Sequence, residues 1–162
     1  MITLAKITYE NARKVVDLQL APHQRTLVDS NAQSLAEAYC SLKQDKIPCV
    51  PLAIAHEGEA VGFLMYEYYV PTPEKPEEAL QKEPYYYLYR LMVDASQQGK
   101  GYGRAAMERL IEHVRTAPEG KGTALYICYL PDNLVAKAFY ESLGFVETGQ
   151  VVDGEVFTRL EL

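Results

Sequence analysis

The run Gln98-Gly99-Lys100-Gly101-Tyr102-Gly103, continued by Arg104 and Ala105, closes a polar stretch just where an apolar-periodic one begins. A glycine-rich turn at a helix start aims several backbone N–H groups and the positive end of the helix dipole at one point. That arrangement suits an anion such as a pyrophosphate. Gly101 and Gly103 let the backbone come close to phosphate oxygens, and Lys100 or Arg104 can add a charge. The same letters read as GxGxxA from Gly101 to Ala106, a dinucleotide fingerprint. Against that reading, a polar loop intervenes after the strand, and no acid ends a second strand about 20 positions further on. Taken alone, the turn is equally compatible with a helix start that binds nothing.

A second segment runs from Asn133 to Phe145. Asn133 and Tyr140 are seven apart with Ala136 between them, a spacing that puts all three on one stripe of a helix and makes a polar groove wall. By itself a tyrosine on such a helix reads as core with a satisfied hydroxyl. His23, His56 and His113 belong to no nucleophile motif, and Cys128 sits in a buried-type strand and reads as core. Cys40, Cys49 and Cys128 are odd in number and form no CxxC pair, so neither zinc nor a disulfide framework is expected.

The elements that would position these segments follow from periodicity. A strand over Ile2–Ile7 precedes a helix from about Ala12 to Leu20, stopped by Pro22, and a second helix spans Asn31–Lys43. Leu52–His56 and Ala60–Val70 flank Glu57-Gly58-Glu59 as an antiparallel hairpin. Pro71–Pro84, with four prolines and Glu74, Glu77, Glu78 and Glu83, reads as a loop. Tyr85–Val93 is an aromatic strand. The next helix carries Met107, Leu110, Ile111 and Val114 on one stripe and breaks at Pro118–Gly122. Ala124–Leu130 is a buried strand, Asn133–Leu143 a helix closed by Gly144, and Val151–Leu160 a hairpin turned at Asp153-Gly154. This order predicts one α/β domain over residues 1–162: a mixed, mostly antiparallel sheet of about seven strands flanked by about four helices.

The chain has 162 residues, 48% of them hydrophobic, enough to bury a core without staples. Its net charge of −6, with 22 acidic against 16 basic residues, argues against a nucleic-acid surface and favours a neutral or cationic small partner. No stretch reaches the roughly 20 apolar residues of a spanning helix, and Met1–Lys6 has no leader pattern, so a cytoplasmic protein with no membrane partner is expected.

Together, the strand, the QxxGxG turn at Gln98–Gly103 and, some 30 residues later, the strand and NxxAxxxY helix ending in Gly144-Phe145 resemble the GCN5-related N-acetyltransferase superfamily. The resemblance covers essentially the whole chain. Val61-Gly62-Phe63-Leu64-Met65-Tyr66 and the run of tyrosines look most like the bacterial spermine/spermidine (diamine) acetyltransferases. The resemblance implies acetyl-CoA as co-substrate, with its pantetheine along Leu91, Met92 and Val93 and its pyrophosphate on Gln98, Gly99, Lys100, Gly101, Tyr102, Gly103 and Arg104. Asn133 and Tyr140 then face the cofactor, and an N–H of Met92 or Val93 stabilises the oxyanion as an amine attacks the thioester. It also implies that Tyr140 protonates the departing thiolate. Relatives are often homodimers; the sequence itself does not give the oligomeric state.

An attacking amine with pKa near 10.4 is free base only about once in 2,500 molecules at pH 7, so a base or water chain is needed. Many relatives carry an acid on the strand before the loop, but that stretch here reads Tyr87-Leu88-Tyr89-Arg90. Glu67 on the preceding strand is the remaining candidate, with Tyr87 or Tyr89 relaying through water. Arg90 either pairs with Glu67 across neighbouring strands or meets a carboxylate on the acceptor. The expected activity is acetylation of a primary amine on a small cationic acceptor, polyamine or diamine first. The alternatives are an aminoglycoside-like amine, an amino acid, a protein N-terminus, or a non-catalytic acyl-CoA-binding module.

Overall fold

In the computed structural model of the protein, residues 1–43, 48–73 and 80–162 are described. Their strands are β1 (Ile2–Lys6), β2 (Cys49–His56), β3 (Glu59–Tyr69), β4 (Tyr85–Val93), β5 (Ala124–Tyr129), β6 (Val146–Val152) and β7 (Glu155–Glu161). The helices are α1 (Tyr9–Asp17), α2 (Asn31–Lys43), α3 (Tyr102–Arg115) and α4 (Leu134–Glu141). The sheet order is β1-β2-β3-β4-β5-β7-β6, with β4 and β5 paired in parallel through Tyr86 and Leu125. This is the mixed α/β architecture the sequence predicts. No helix among the described residues is long and apolar enough to cross a membrane.

The chain forms two compact units. Residues 1–67 and 88–112 make the first, residues 68–87 and 113–162 the second. In the first, Val15 of α1, Ala38 of α2, Ala53 of β2, Phe63 and Met65 of β3 and Met92 of β4 form one buried cluster. The helices supply it because their apolar positions recur at helical spacing, the strands because one face alternates inward. In the second unit, Tyr85, Ala124, Tyr126 and Phe157 make the corresponding cluster, with Tyr69, Tyr87 and Cys128 against it. Tyr85 stacks on Tyr69 at 5.1 Å and meets Tyr126 edge-on at 5.1 Å, and Tyr68 tilts against Tyr86 at 5.0 Å.

Three boundaries depart from the sequence reading. The first helix occupies Tyr9–Asp17 rather than Ala12–Leu20. Thr8 starts it, its N–H donating to Asn11 Oδ1 at 2.8 Å, an N-terminal signal that the apolar pattern does not carry. β2 begins at Cys49, three residues before Leu52, and runs through Pro51. β1 pairs with β2 only from Leu52 onward, so Pro51 faces β3 alone and its missing N–H costs no ladder bond on the β1 side. β6 begins at Val146, where the pattern pointed to Val151, because its register shifts between Glu147 and Val151 and breaks the alternation.

Candidate active site

The first unit carries the glycine-rich turn. β4 ends at Val93, and Asp94 turns the chain: its Oδ1 accepts from the Ser96 N–H at 2.9 Å and its Oδ2 from the Gln19 N–H at 2.8 Å. Burial opposes ionisation of Asp94, but these donors hold its carboxyl below the usual range. Gln98 Nε2 donates to Val93 O at 3.0 Å and to Gln24 Oε1 at 2.7 Å, so this side chain closes the turn onto the strand end. Gly99 and Gly101 have φ of 75° and 79°, where a side chain is strained, and nothing stands within 4 Å of a Cβ built on either. α3 makes its first bond from Ala105 N–H to Gly101 O at 3.1 Å, so the N–H groups of Tyr102, Gly103 and Arg104 lie ahead of the helical ladder. Lys100 Nζ donates to Gln97 Oε1 at 2.8 Å, and Tyr102 stacks on His56 at 4.9 Å. Upstream, a Cβ on Gly62 would stand 2.5 Å from Met92 O, so the close approach of β3 to the β4 end requires glycine there.

A second group in the same unit surrounds Glu67. It is partly buried on β3, and desolvation lifts its pKa from 4.5 to about 7. Cys49 on the paired position of β2 brings its Sγ within 3.9 Å of Glu67 Oε2. Burial, then Glu67, pushes the Cys49 thiol up. Tyr89, half-exposed, is raised by the same two causes. Arg90 does not pair with Glu67. Its Nη2 forms ion pairs with Asp29 and, at 3.6 Å, with Glu37 of α2, while the guanidinium lies 4.5 Å over the Tyr89 ring. Two carboxylates, Asp29 just before α2 and Glu37 on it, meet a side chain that is only 17% exposed.

The second unit holds Asn133 and Tyr140. Asn133 is not on the helical stripe: it is the N-cap of α4, its side-chain oxygen accepting from the Ala136 N–H at 3.1 Å. The oxygen is thus used by the helix, and the amide NH2 is the group left to offer a ligand. Tyr140 is packed among Tyr129, Phe139 and Phe145. Burial, with the Cys128 thiol as a lesser influence, lifts its hydroxyl well above the ordinary tyrosine range. Cys128 is not plain core. Its Sγ lies 3.0 Å from the Tyr87 hydroxyl and donates to Glu155 Oε2 at 3.1 Å. An apolar run in the sequence hides such partners, which come from strands far away in the chain.

Of the acidic residues in the loop expected over Pro71–Pro84, Glu74, Glu77 and Glu78 lie outside the described residues, while Glu83 is exposed.

Known proteins share this fold and sequence pattern. The family model described as acetyltransferase (GNAT) family matches residues 13–145. The spermine/spermidine N(1)-acetyltransferase of Bacillus subtilis (strain 168) is 28% identical over 151 residues, covering 93% of this chain and 91% of the relative. The crystal structure of aminoglycoside acetyltransferase AAC(6')-Ib in complex with coenzyme A superposes with a TM-score of 0.75 at 23% identity, covering 99% and 95% of the two chains. The ribosomal-protein-S18-alanine N-acetyltransferase of Escherichia coli superposes with a TM-score of 0.63 at 19% identity, covering 99% and 94%. With four-fifths of its length inside the family model, the chain belongs to the acetyltransferase (GNAT) family and is an acetyl-CoA-dependent N-acetyltransferase.

Proposed function

We propose that the protein acetylates a primary amine of a small cationic acceptor, a polyamine or diamine first, by direct attack on acetyl-CoA. The observation that carries this reading is Glu67, a carboxylate whose pKa of about 7 lets it both accept and release a proton near neutrality. It takes the proton of the bound ammonium, which otherwise costs about 4.6 kcal/mol at pH 7. The freed amine forms the C–N bond at the thioester carbonyl, the N–H of Met92 or Val93 steadies the oxyanion, and the C–S bond breaks. Tyr140 gives its proton to the departing thiolate and is restored by the second proton, which the newly acylated nitrogen loses, so the products are the N-acetyl amine and CoA–SH, with the first ammonium proton left on Glu67. The turn from Gln98 to Arg104 receives the pyrophosphate on its backbone donors, and the Asn133 amide offers a further contact to the cofactor.

Arg90 bears on the acceptor. A free guanidinium beside Glu67 would suit an acceptor bearing its own carboxylate, such as an amino acid. Asp29 and Glu37 already neutralise it, leaving Glu67 in surroundings that favour a cation. The names of the two Bacillus subtilis relatives point the same way.

The test compares spermidine, a monoamine of similar length and a free amino acid as acceptors with acetyl-CoA, read as released thiol. Spermidine is expected to have the highest kcat/KM. Preference for the amino acid overturns the polyamine assignment.

A further inference from the structure

Glu67 and Cys49 stand directly opposite each other on β3 and β2, the cross-strand relation that brings side chains closest. Cys49 is itself fixed from α2: its N–H donates to Ser41 Oγ at 3.1 Å, and the buried Ser41 hydroxyl donates to Ala38 O at 2.7 Å. The thiol therefore reaches Glu67 Oε2 from a backbone that two elements hold. Among the described residues, the other charged or titratable groups around the pair are Tyr89 and Arg90 of β4 and Glu37 of α2, and Arg90 is committed to Asp29 and Glu37.

We propose that Cys49 is a positioning residue for Glu67, its thiol holding the carboxylate where it can take a proton from the acceptor. The inference rests on Glu67 being the base. A donor favours the ionised carboxylate, so the thiol offsets part of what burial does to Glu67. Losing the thiol leaves burial unopposed, and Glu67 then holds its proton to higher pH. Coupling of this kind is reciprocal: the Glu67 charge equally disfavours the Cys49 thiolate.

Both directions can be measured on the full chain. In Cys49→Ala the acid limb of acceptor kcat/KM is expected to move up by roughly half a pH unit, and Cys49→Ser, which restores a donor, moves it back. Independently of turnover, alkylation of Cys49 by iodoacetamide, followed on its own peptide by mass spectrometry, is expected to run several-fold faster in Glu67→Gln, because the thiolate becomes easier to form. The exposed Cys40 serves as the internal control and keeps its rate. A wild-type acid limb in Cys49→Ala alongside an inactive Glu67→Gln overturns the positioning role alone. Wild-type turnover in Glu67→Gln removes the base and the inference with it.

Discussion

Tyr140 and Glu67 are both desolvated, and under the proposed function the same physics fits them for opposite jobs. Burial disfavours charge, so a phenol becomes a firmer proton holder and a carboxylic acid becomes a usable base at neutral pH. Tyr140→Phe keeps the ring among Tyr129, Phe139 and Phe145 and removes only the hydroxyl. It is expected to lower kcat by about 10² or more with little change in KM for acetyl-CoA, read by steady-state kinetics. Glu67→Gln is expected to abolish the acid limb near pH 7. It also carries a stability signature whose sign is fixed. A carboxyl whose folded pKa lies above its unfolded value contributes stability below the unfolded pKa and loses it as pH rises through the folded one. The contribution of Glu67 to wild-type stability is therefore expected to fall between about pH 4.5 and 7. Glu67→Gln lacks this dependence, and the difference, discounted for the partial exposure of Glu67, should reach the order of 2 kcal/mol in denaturant titrations.

The elements that present chemistry depend on glycines for different reasons, which substitution separates. Gly62 is an approach site: an alanine methyl would meet Met92 O at 2.5 Å, so Gly62→Ala is expected to cost about 1–3 kcal/mol in thermal unfolding and to raise KM for acetyl-CoA by shifting the β4 end. Gly101 has open space but a left-handed φ, so Gly101→Val strains the turn and places a side chain where phosphate would lie. Calorimetry should show CoA binding weakened at least about tenfold, or 1.4 kcal/mol. The turn, the strands around it and the amphipathic helices were legible because glycine spacing and apolar periodicity are local. Arg90 was not, since its partners Asp29 and Glu37 lie 61 and 53 residues away and nothing local marks them. Asn133 was misplaced: the spacing put it on the helical stripe with Tyr140, and only the structure shows it as the N-cap ahead of α4, because a capping side chain and a ligand-facing one look alike in sequence. Cys49 carried no signal at all, because its role comes from a cross-strand register that only pairing reveals.

Across the whole molecule, a net charge of −6 would act in opposite senses on the proposed cationic acceptor and on acetyl-CoA. Screening by salt weakens the attraction of a polyamine and relieves the repulsion of a phosphorylated cofactor. Raising ionic strength is therefore expected to increase KM for the acceptor while decreasing it for acetyl-CoA. A parallel rise in both would remove the long-range field as the cause. The tyrosine cluster around Tyr85 has a practical meaning of another kind. The chain has 13 tyrosines and no tryptophan, so its ultraviolet signal is tyrosine signal throughout. Rings locked at 5.0–5.1 Å around Tyr68, Tyr69, Tyr85, Tyr86 and Tyr126 couple optically and give strong near-ultraviolet circular dichroism, and all of them belong to the second unit. Eight of the 13 tyrosines lie in residues 68–87 and 113–162, so that band is expected to be weighted toward this unit and to serve as a label-free reporter of its packing.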